Sequence, residues 1–389
     1  LNCGCIPTKT LLHHAEILRN IRNGGEYGFE NLSFSFNYAK VVERKDSVIS
    51  QLRNGIETLL TNPNITVVHG EASFVNENTV IAEGKEYSAR NIIIATGSTA
   101  KLLPIEGAGL EGVVTSTELL DVTEVPKRLC IIGAGVIGME FASIFRQLGA
   151  EVTVVEFLKE CIPALDSDIA KRLRKQLEKQ GVEFYMQSAV KSISDGRVTF
   201  ERKGKEQSVE ADKVLMAVGR RPVVEGYGLE NTTIEHDARG IVVDDNMQTN
   251  VPGVYAIGDV NARMMLAHAA TMQGLHVVNH ILGIPDNIRL DIMPAAIFTN
   301  PEAAGVEIEV RKKMYRTNGR ALAMNEAEGY IKLCVSATDG LILSCHAFGA
   351  HSADIVQEVS ALMCKNTTLQ ELHEMVHIHP TLGEMLQEI

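Results

Sequence analysis

Two short stretches at opposite ends of the chain carry residues able to do thiol chemistry together. The chain opens Leu1-Asn-Cys-Gly-Cys-Ile-Pro-Thr-Lys9, with Pro7 suited to the first turn of a helix. Cys3 and Cys5 then lie near a helix start, where a thiolate gains from the dipole and from Lys9. The plain alternative is two ordinary cysteines near a cap. The chain closes on His377-Ile-His379-Pro-Thr-Leu-Gly-Glu384 and five further residues. A thiol with a pKa of about 8.5 is only slightly ionised at neutral pH. An imidazole within hydrogen-bond reach can take its proton and stabilise the thiolate. Glu384 can hold the other ring nitrogen and fix the tautomer, and Pro380 stiffens the chain between them. Alone, a His-Pro step is more often structural. The H-x-H of His377 and His379 could suggest a metal, but no further ligand cluster supports one, and none is expected.

A third stretch is built to bind. Arg128-Leu-Cys-Ile-Ile132 is a short apolar run, as a strand buried on both faces should be. Gly133, Gly135 and Gly138 follow in G-x-G-x-x-G spacing, with Val136 and Ile137 inside it. Gly133 permits a tight turn, Gly135 lets a pyrophosphate approach the backbone, and Gly138 lets the helix pack close to the strand. The helix N-terminus offers free N–H groups and a positive dipole end to phosphates. A second strand over 152–155 ends in Glu156. A carboxylate there can accept both ribose hydroxyls of NAD and would repel the 2′-phosphate of NADP.

The elements that must position these residues can be read in order. The opening helix runs to about Asn20, with Leu11, Leu12, Ala15 and Leu18 on one face, and a longer amphipathic helix spans Tyr38–Leu60. Strands are expected at Thr66–His69, Ala72–Val75 and Thr79–Ala82, then a buried strand with a Gly-Ser turn over Asn91–Ser98. Pro104 and the glycines at 107 and 109 mark a connector. After Glu156 come a helix over Asp166–Gln180, two or three strands, and a strand with a glycine turn over Asp212–Pro222. Another strand, Val251–Asp259, carries Asp259 at its C-terminal end, where open parallel sheets bind ligands. A helix then runs from Met265 to about Leu282. From Pro294 the pattern turns to antiparallel strands, over 297–316 and 329–348, followed by helices over Ala350–Cys364 and from Thr368. The strand–glycine turn recurs at Ala95–Gly97, Ala217–Gly219 and Ile257–Gly258, which fits two related nucleotide-binding units.

Composition narrows the class. With 389 residues the chain has room for two or three domains, and 45% hydrophobic against 22% charged residues suits a soluble globular protein. A net charge of −12 argues against a nucleic-acid partner. The longest apolar run, near Cys130–Phe145, contains Glu140, so no membrane partner is expected. Seven scattered cysteines, odd in number and without zinc spacing, argue against a disulfide framework and favour a reducing, cytoplasmic setting. Leu1 is not a natural start, so the opening says nothing of targeting. Cys130 reads as a small hydrophobe; Cys161, Cys334, Cys345 and Cys364 receive no role.

Taken together, the motifs resemble those of the flavin-dependent pyridine nucleotide–disulfide oxidoreductases over nearly the whole chain, and within them the members that oxidise dihydrolipoamide. Leu1–Lys9 resembles the end of the redox-disulfide motif. Ala95-Thr-Gly-Ser98 and Gly258-Asp259 resemble the flavin-contact turns. Gly133–Glu140 with Glu156 resembles the NAD site, and His379–Glu384 the acid–base motif. The resemblance implies an α/β fold with two Rossmann-like domains, for FAD and NAD, plus a C-terminal α+β dimerisation domain. Residues 1–124 and 246–283 would bind FAD, 125–245 NAD, and 284–389 would form the interface. It implies that dihydrolipoamide attacks an enzyme disulfide, that electrons pass to FAD, and that a hydride passes to NAD+. Cys5 would be the flavin-facing cysteine of a C-x-x-x-x-C pair, with Cys3 at a variable position. Lys9 would lie beneath the flavin and pair with Glu140 near the nicotinamide. FAD contacts are implied at Lys9, Gly70, Thr96, Gly97, Ser98, Gly258, Asp259, Met265, Leu266, Ala267 and His268. Asp259 would accept from the ribityl chain or a flavin-side hydroxyl. NAD contacts are implied at Gly133, Gly135, Val136, Ile137, Gly138, Glu140, Glu156, Val190 and Gly219. His379 and Glu384 would serve the disulfide of the partner subunit, so the active form would be a homodimer. Its partner would be a lipoyl-bearing carrier protein of a 2-oxo acid dehydrogenase or glycine-cleavage system. The alternatives are a sister flavoenzyme (glutathione or mercuric reductase, or a flavin transhydrogenase) and a redox-inactive structural subunit. Glu156 argues against the NADPH-using members, and His379 against mercuric reductase.

The same resemblance places the paired cysteine one residue before Leu1, and a strand–glycine–helix unit for the FAD pyrophosphate further upstream. It also marks Gly305–Met314 as short, with a helix between two sheet strands expected to be missing. The sequence is therefore expected to be part of a longer protein. A preparation of the 389-residue chain alone should bind no FAD and show no activity. A yellow, flavin-loaded preparation, read by visible absorbance, would refute this.

Overall fold

The computed structural model describes residues 1–194, 196–305 and 311–389, without the side chains of 305 and 311. The chain forms two compact units. One comprises Leu1–Gly55, Leu102–Gly219 and Pro294–Ile389; the other comprises Ile56–Lys101 and Arg220–Met293.

At the centre of the first unit is the apolar run of residues 128–132. Arg128–Ile132 is a strand between Lys213–Met216 and Glu151–Val155 in a five-stranded parallel sheet, with Val113–Val114 and Glu183–Tyr185 at the edges. Leu129, Cys130, Ile131 and Ile132 are all buried, as a strand covered on both faces requires. The helix Val136–Leu148 follows and stops at Gly149, whose φ of 109° suits only glycine. Its buried face includes Met139, Phe141, Ile144 and Phe145, packed with the opening helix Cys5–Arg22 through Leu11, Leu12, Ala15 and Leu18. The long helix Tyr38–Leu60 is as expected. It buries Lys45, whose Nζ donates to the Leu120 carbonyl at 2.9 Å and to Asp121 at 2.6 Å.

Residues after Pro294 build a five-stranded antiparallel sheet in the order Ala295–Ile297, Glu302–Gly305, Ile342–Gly349, Tyr330–Val335, Arg311–Met314. Helix Ser352–Met363 follows, and Leu369–Glu374 starts on a reciprocal Thr368–Glu371 cap. The expected loss of a helix near Gly305–Met314 falls on 306–310, outside the described residues.

In the second unit, Ile92–Ile94 pairs in parallel with Val254–Ala256, and Ser98–Ala100 pairs antiparallel with Arg220–Pro222. Phe74, Ile94, Leu229, Ile234, Val254, Ala256 and Val260 form its core. Two strand expectations need correction. Thr66–His69 is not a strand: it finds no ladder, and Val67 and Val68 stay exposed. β-propensity favours an extended backbone there, but a strand also needs a neighbour. The run 91–98 closes on its expected turn, where Gly97 has φ 72°, but its strand, Ile92–Ile94, is not buried throughout: Ile93 is 39% exposed, and only Ile94 is buried. No helix among the described residues is long and apolar enough to cross a membrane.

One side chain ties the nucleotide-type sheet to the antiparallel sheet. Asp166 caps helix Ser167–Lys179 by accepting from the N–H groups of Asp168 and Ile169, and its other oxygen accepts from Lys332 Nζ at 2.7 Å. Burial raises the Asp166 carboxyl, but the Lys332 bond and the helix N–H outweigh it and hold the group below the usual carboxylate range. A depressed folded-state pKa makes this stabilisation full above the unfolded value and lost as pH falls through the depressed one. Asp166→Asn, which keeps a cap but not the charge, should cost about 2 kcal/mol at neutral pH. In urea unfolding, its deficit should shrink on acidification below about pH 4.

Candidate functional site

Cys5 is the first residue of the opening helix, and Lys9 lies one turn further on the same face. Cys3 and Cys5 are both exposed and free. Lys9 Nζ donates to both carboxylate oxygens of Glu140, each at 2.8 Å. Glu140 is only 4% exposed, so its charge depends on that partner. The Phe298 N–H donates to the same carboxylate at 3.0 Å, and the Phe298 ring lies 4.6 Å from Lys9 Nζ. The sequence paired Lys9 with Glu140 by resemblance; nothing in it pointed to Phe298, whose part is played by backbone and ring.

The glycine turn has the stereochemistry its spacing demands. Gly133 has φ 104°, and a Cβ there would strike the Ala217 carbonyl. A Cβ on Gly138 would strike the Gly133 carbonyl, so helix and turn can approach only as glycines. Around Gly135 the space is open, and the following helix has no side-chain cap on its first N–H groups. Val136 and Ile137 form its first turn. Glu156 is buried and accepts from the Ala134 N–H at 2.5 Å and the Leu158 N–H at 2.6 Å. Each oxygen keeps lone-pair capacity for a ribose hydroxyl. Gly219, at φ 111°, also borders open space, and Val190 packs on the Cys130–Ile132–Val155 cluster.

All the residues matched to flavin contacts except Lys9 fall in the second unit. Gly97 and Gly258, both at φ 72°, turn the chain at the C-terminal ends of the parallel pair. Ser98 Oγ donates to Asp259 Oδ2 at 2.5 Å, and Thr96 Oγ1 donates to the Val223 carbonyl at 2.9 Å. The buried Gln273 accepts from the Gly258 N–H at 2.7 Å and holds that turn. Met265 and Leu266 lead into helix Ala267–Leu282, which His268 enters at its second position. Leu266, its cap residue, makes no side-chain cap bond. A Cβ on Gly70 would meet only the exposed, flexible Glu83 side chain, which can swing aside, so nothing in the packing there demands a glycine.

His379 Nδ1 and Glu384 Oε2 lie 2.7 Å apart, as the tautomer argument requires. Asn318, which the sequence did not reveal, donates to Glu384 Oε1 at 3.1 Å and to the Thr381 carbonyl at 2.9 Å. His379 is 80% exposed at its side chain, whereas Glu384 is 14% exposed. Among the described residues neither one hydrogen-bonds Cys5. His377 spends both ring nitrogens on Glu358 and the Met375 carbonyl, and no group of three or more metal-ligating side chains forms among the described residues.

These arrangements fit the two cofactors on structural grounds. The open space at Gly135 beside uncapped helix N–H groups suits a pyrophosphate, and Glu156 suits an unphosphorylated ribose. In the second unit, the Asp259 carboxylate, placed beside the Gly258 turn at a strand end, suits a flavin nucleotide. Lys9→Met should leave the Glu140 carboxylate nearly unpaired and cost about 3 kcal/mol in denaturant unfolding. Adding Glu140→Met should recover roughly half of that loss; no recovery would mean that the pair is not the cause.

Residues 1–274 match the pyridine nucleotide-disulphide oxidoreductase family, and residues 293–389 match the dimerisation domain of that family. Dihydrolipoyl dehydrogenase of Chlamydia trachomatis is 36% identical over 100% of this chain and 87% of its own length. Among solved structures, the HOCl-induced flavoprotein disulfide reductase RclA from Escherichia coli superposes with a TM-score of 0.88 at 28% identity, covering 100% of this chain and 89% of that one. LpdA from Mycobacterium tuberculosis gives a TM-score of 0.90 at 25% identity, with the same coverage. The chain therefore belongs to the pyridine nucleotide–disulphide oxidoreductase family, flavoprotein enzymes that use FAD and NAD(P) and carry a dimerisation domain.

Proposed function

We propose that this protein oxidises dihydrolipoamide to lipoamide and reduces NAD+ to NADH. The observation that carries the reading is the His379–Glu384 hydrogen bond on an imidazole whose reactive edge stays open to solvent. That arrangement suits a base which takes a proton from a substrate thiol and returns it later. Relatives at about this identity bear the name dihydrolipoyl dehydrogenase.

In this reading Glu384 holds Nδ1–H, so Nε2 receives the thiol proton, and Asn318 keeps Glu384 aimed. Cys5 serves as the flavin-facing cysteine of the redox disulfide. Lys9, fixed by Glu140, supplies positive charge beside the flavin. FAD is held by Gly70, Thr96–Ser98, Gly258, Asp259 and Met265–His268. Bound there, it supplies a two-electron relay between thiols and nicotinamide. NAD is held by Gly133–Gly138, Glu140, Glu156, Val190 and Gly219, with Glu156 selecting against a 2′-phosphate. The FAD domain spans 1–124 and 246–283, the NAD domain 125–245, and the interface domain 284–389. His379 serves the disulfide of a second copy, which makes the homodimer the working unit. The partner is a lipoyl-bearing carrier protein, and scattered cysteines that form no structural disulfide framework suit a reducing compartment such as the cytoplasm.

The likeness to RclA supports a second reading, reduction of another disulfide or oxidant at the expense of a nicotinamide. NAD+ reduction by dihydrolipoamide, measured at 340 nm with the full-length protein, decides between them. The proposal expects steady turnover, and His379→Gln should lower it by roughly 100-fold or more. An unchanged rate would remove His379 as the base. Bound FAD without turnover on dihydrolipoamide would favour the second reading, and a flavin that no disulfide or nicotinamide turns over would favour a docking subunit.

A further inference from the structure

Arg220 was not among the residues that the sequence singled out, yet it touches two that were. Its Nε donates to Ser98 Oγ at 2.7 Å, and its Nη2 donates to the Ser98 carbonyl at 2.6 Å. Ser98 Oγ in turn donates to Asp259 Oδ2, which lies 3.8 Å from Arg220 Nε. The three side chains are half-buried, at 32% exposed for Arg220 and 26% for Asp259. Asp259 Oδ1 takes no hydrogen bond among the described residues.

The donors and acceptors leave little freedom. The Ser98 hydroxyl has one proton, and it goes to Asp259; Arg220 fills an acceptor lone pair of the same oxygen. The hydroxyl is thereby committed to the protein. Arg220 makes its second bond to the Ser98 backbone, so its planar fork grips that residue at two points, which a lysine could not reproduce. Ser98 follows the Gly97 turn and Asp259 follows the Gly258 turn. Arg220 itself lies in the strand paired with Ser98–Ala100.

We infer that Arg220 is a positioning residue of the flavin site: through Ser98 it locks the two glycine turns together and aims the free Oδ1 of Asp259 at a hydroxyl of the bound flavin nucleotide. The inference rests on the proposed FAD site. One carboxylate oxygen serves the architecture and the other the ligand, and the guanidinium offsets the carboxylate charge nearby.

The test uses the full-length protein, FAD as the probe, and the variants R220M, R220K, S98A and R220M/S98A. Flavin fluorescence titration of apoprotein should show R220M raising the FAD dissociation constant by about tenfold, with S98A acting in the same direction but less. R220K should recover only part of the affinity. The double variant should be no weaker than R220M alone, because both changes cut one link. The visible circular dichroism of bound flavin should shift in R220M and S98A alike, a signature that general loosening of the fold would not give. If R220M does not fold, S98A still carries the affinity and spectral test. Wild-type affinity and spectrum in S98A, or additive losses in the double variant, overturn the inference while leaving the FAD reading intact. A wild-type protein that takes up no FAD overturns both.

Discussion

A buried carboxylate fixes where the opening helix can lie. Glu140 sits on the helix that follows the glycine turn, almost wholly out of solvent, and its charge is tolerable only with a cation in contact. Lys9 supplies that cation from a segment 131 positions away, and the Phe298 N–H adds a third segment. The pair thus locates the thiol-bearing helix, the nucleotide-turn helix and the start of the antiparallel sheet at one point. Apolar contacts of Leu11, Leu12 and Ala15 with Phe141 and Phe145 give the packing its bulk but little direction. The ion pair sets the register, because only one placement of the helix brings Lys9 over Glu140.

The glycine turns impose the second constraint. At Gly133 and Gly138 the obstruction to a side chain is backbone, so no rotamer could relieve it. At Gly135 nothing obstructs, so packing alone does not demand a glycine there. That contrast separates two glycines fixed by packing from a third that packing leaves free, which spacing alone cannot do.

Much of this fold is legible in the amino-acid sequence. The run 128–132, the turn after it and the helix Tyr38–Leu60 announce themselves by period and by apolar content, and they stand where expected. Thr66–His69 failed for a reason local sequence cannot hold, since pairing is a property of two segments. The turn at Gly97 ends the run 91–98 as its Gly-Ser step implies, but the exposure of Ile93 depends on what covers the strand, which three isoleucines in a row do not reveal. In the site, motif residues were visible and their supports were not. Asn318, Phe298, Gln273 and Arg220 act across long stretches of chain, some through backbone groups, and carry no spacing signal.

Glu156 has a consequence for anyone wishing to change which dinucleotide such a turn accepts. Its carboxylate is also a structural staple, closing the loop through the amides of Ala134 and Leu158. On the proposed NAD reading, swapping it for a neutral or basic residue would admit a phosphorylated ribose only by unfastening this loop. If Glu156 selects the coenzyme as proposed, preference and loop integrity are written in one residue, and redesign has to supply a new acceptor for both amides before the acid can be removed.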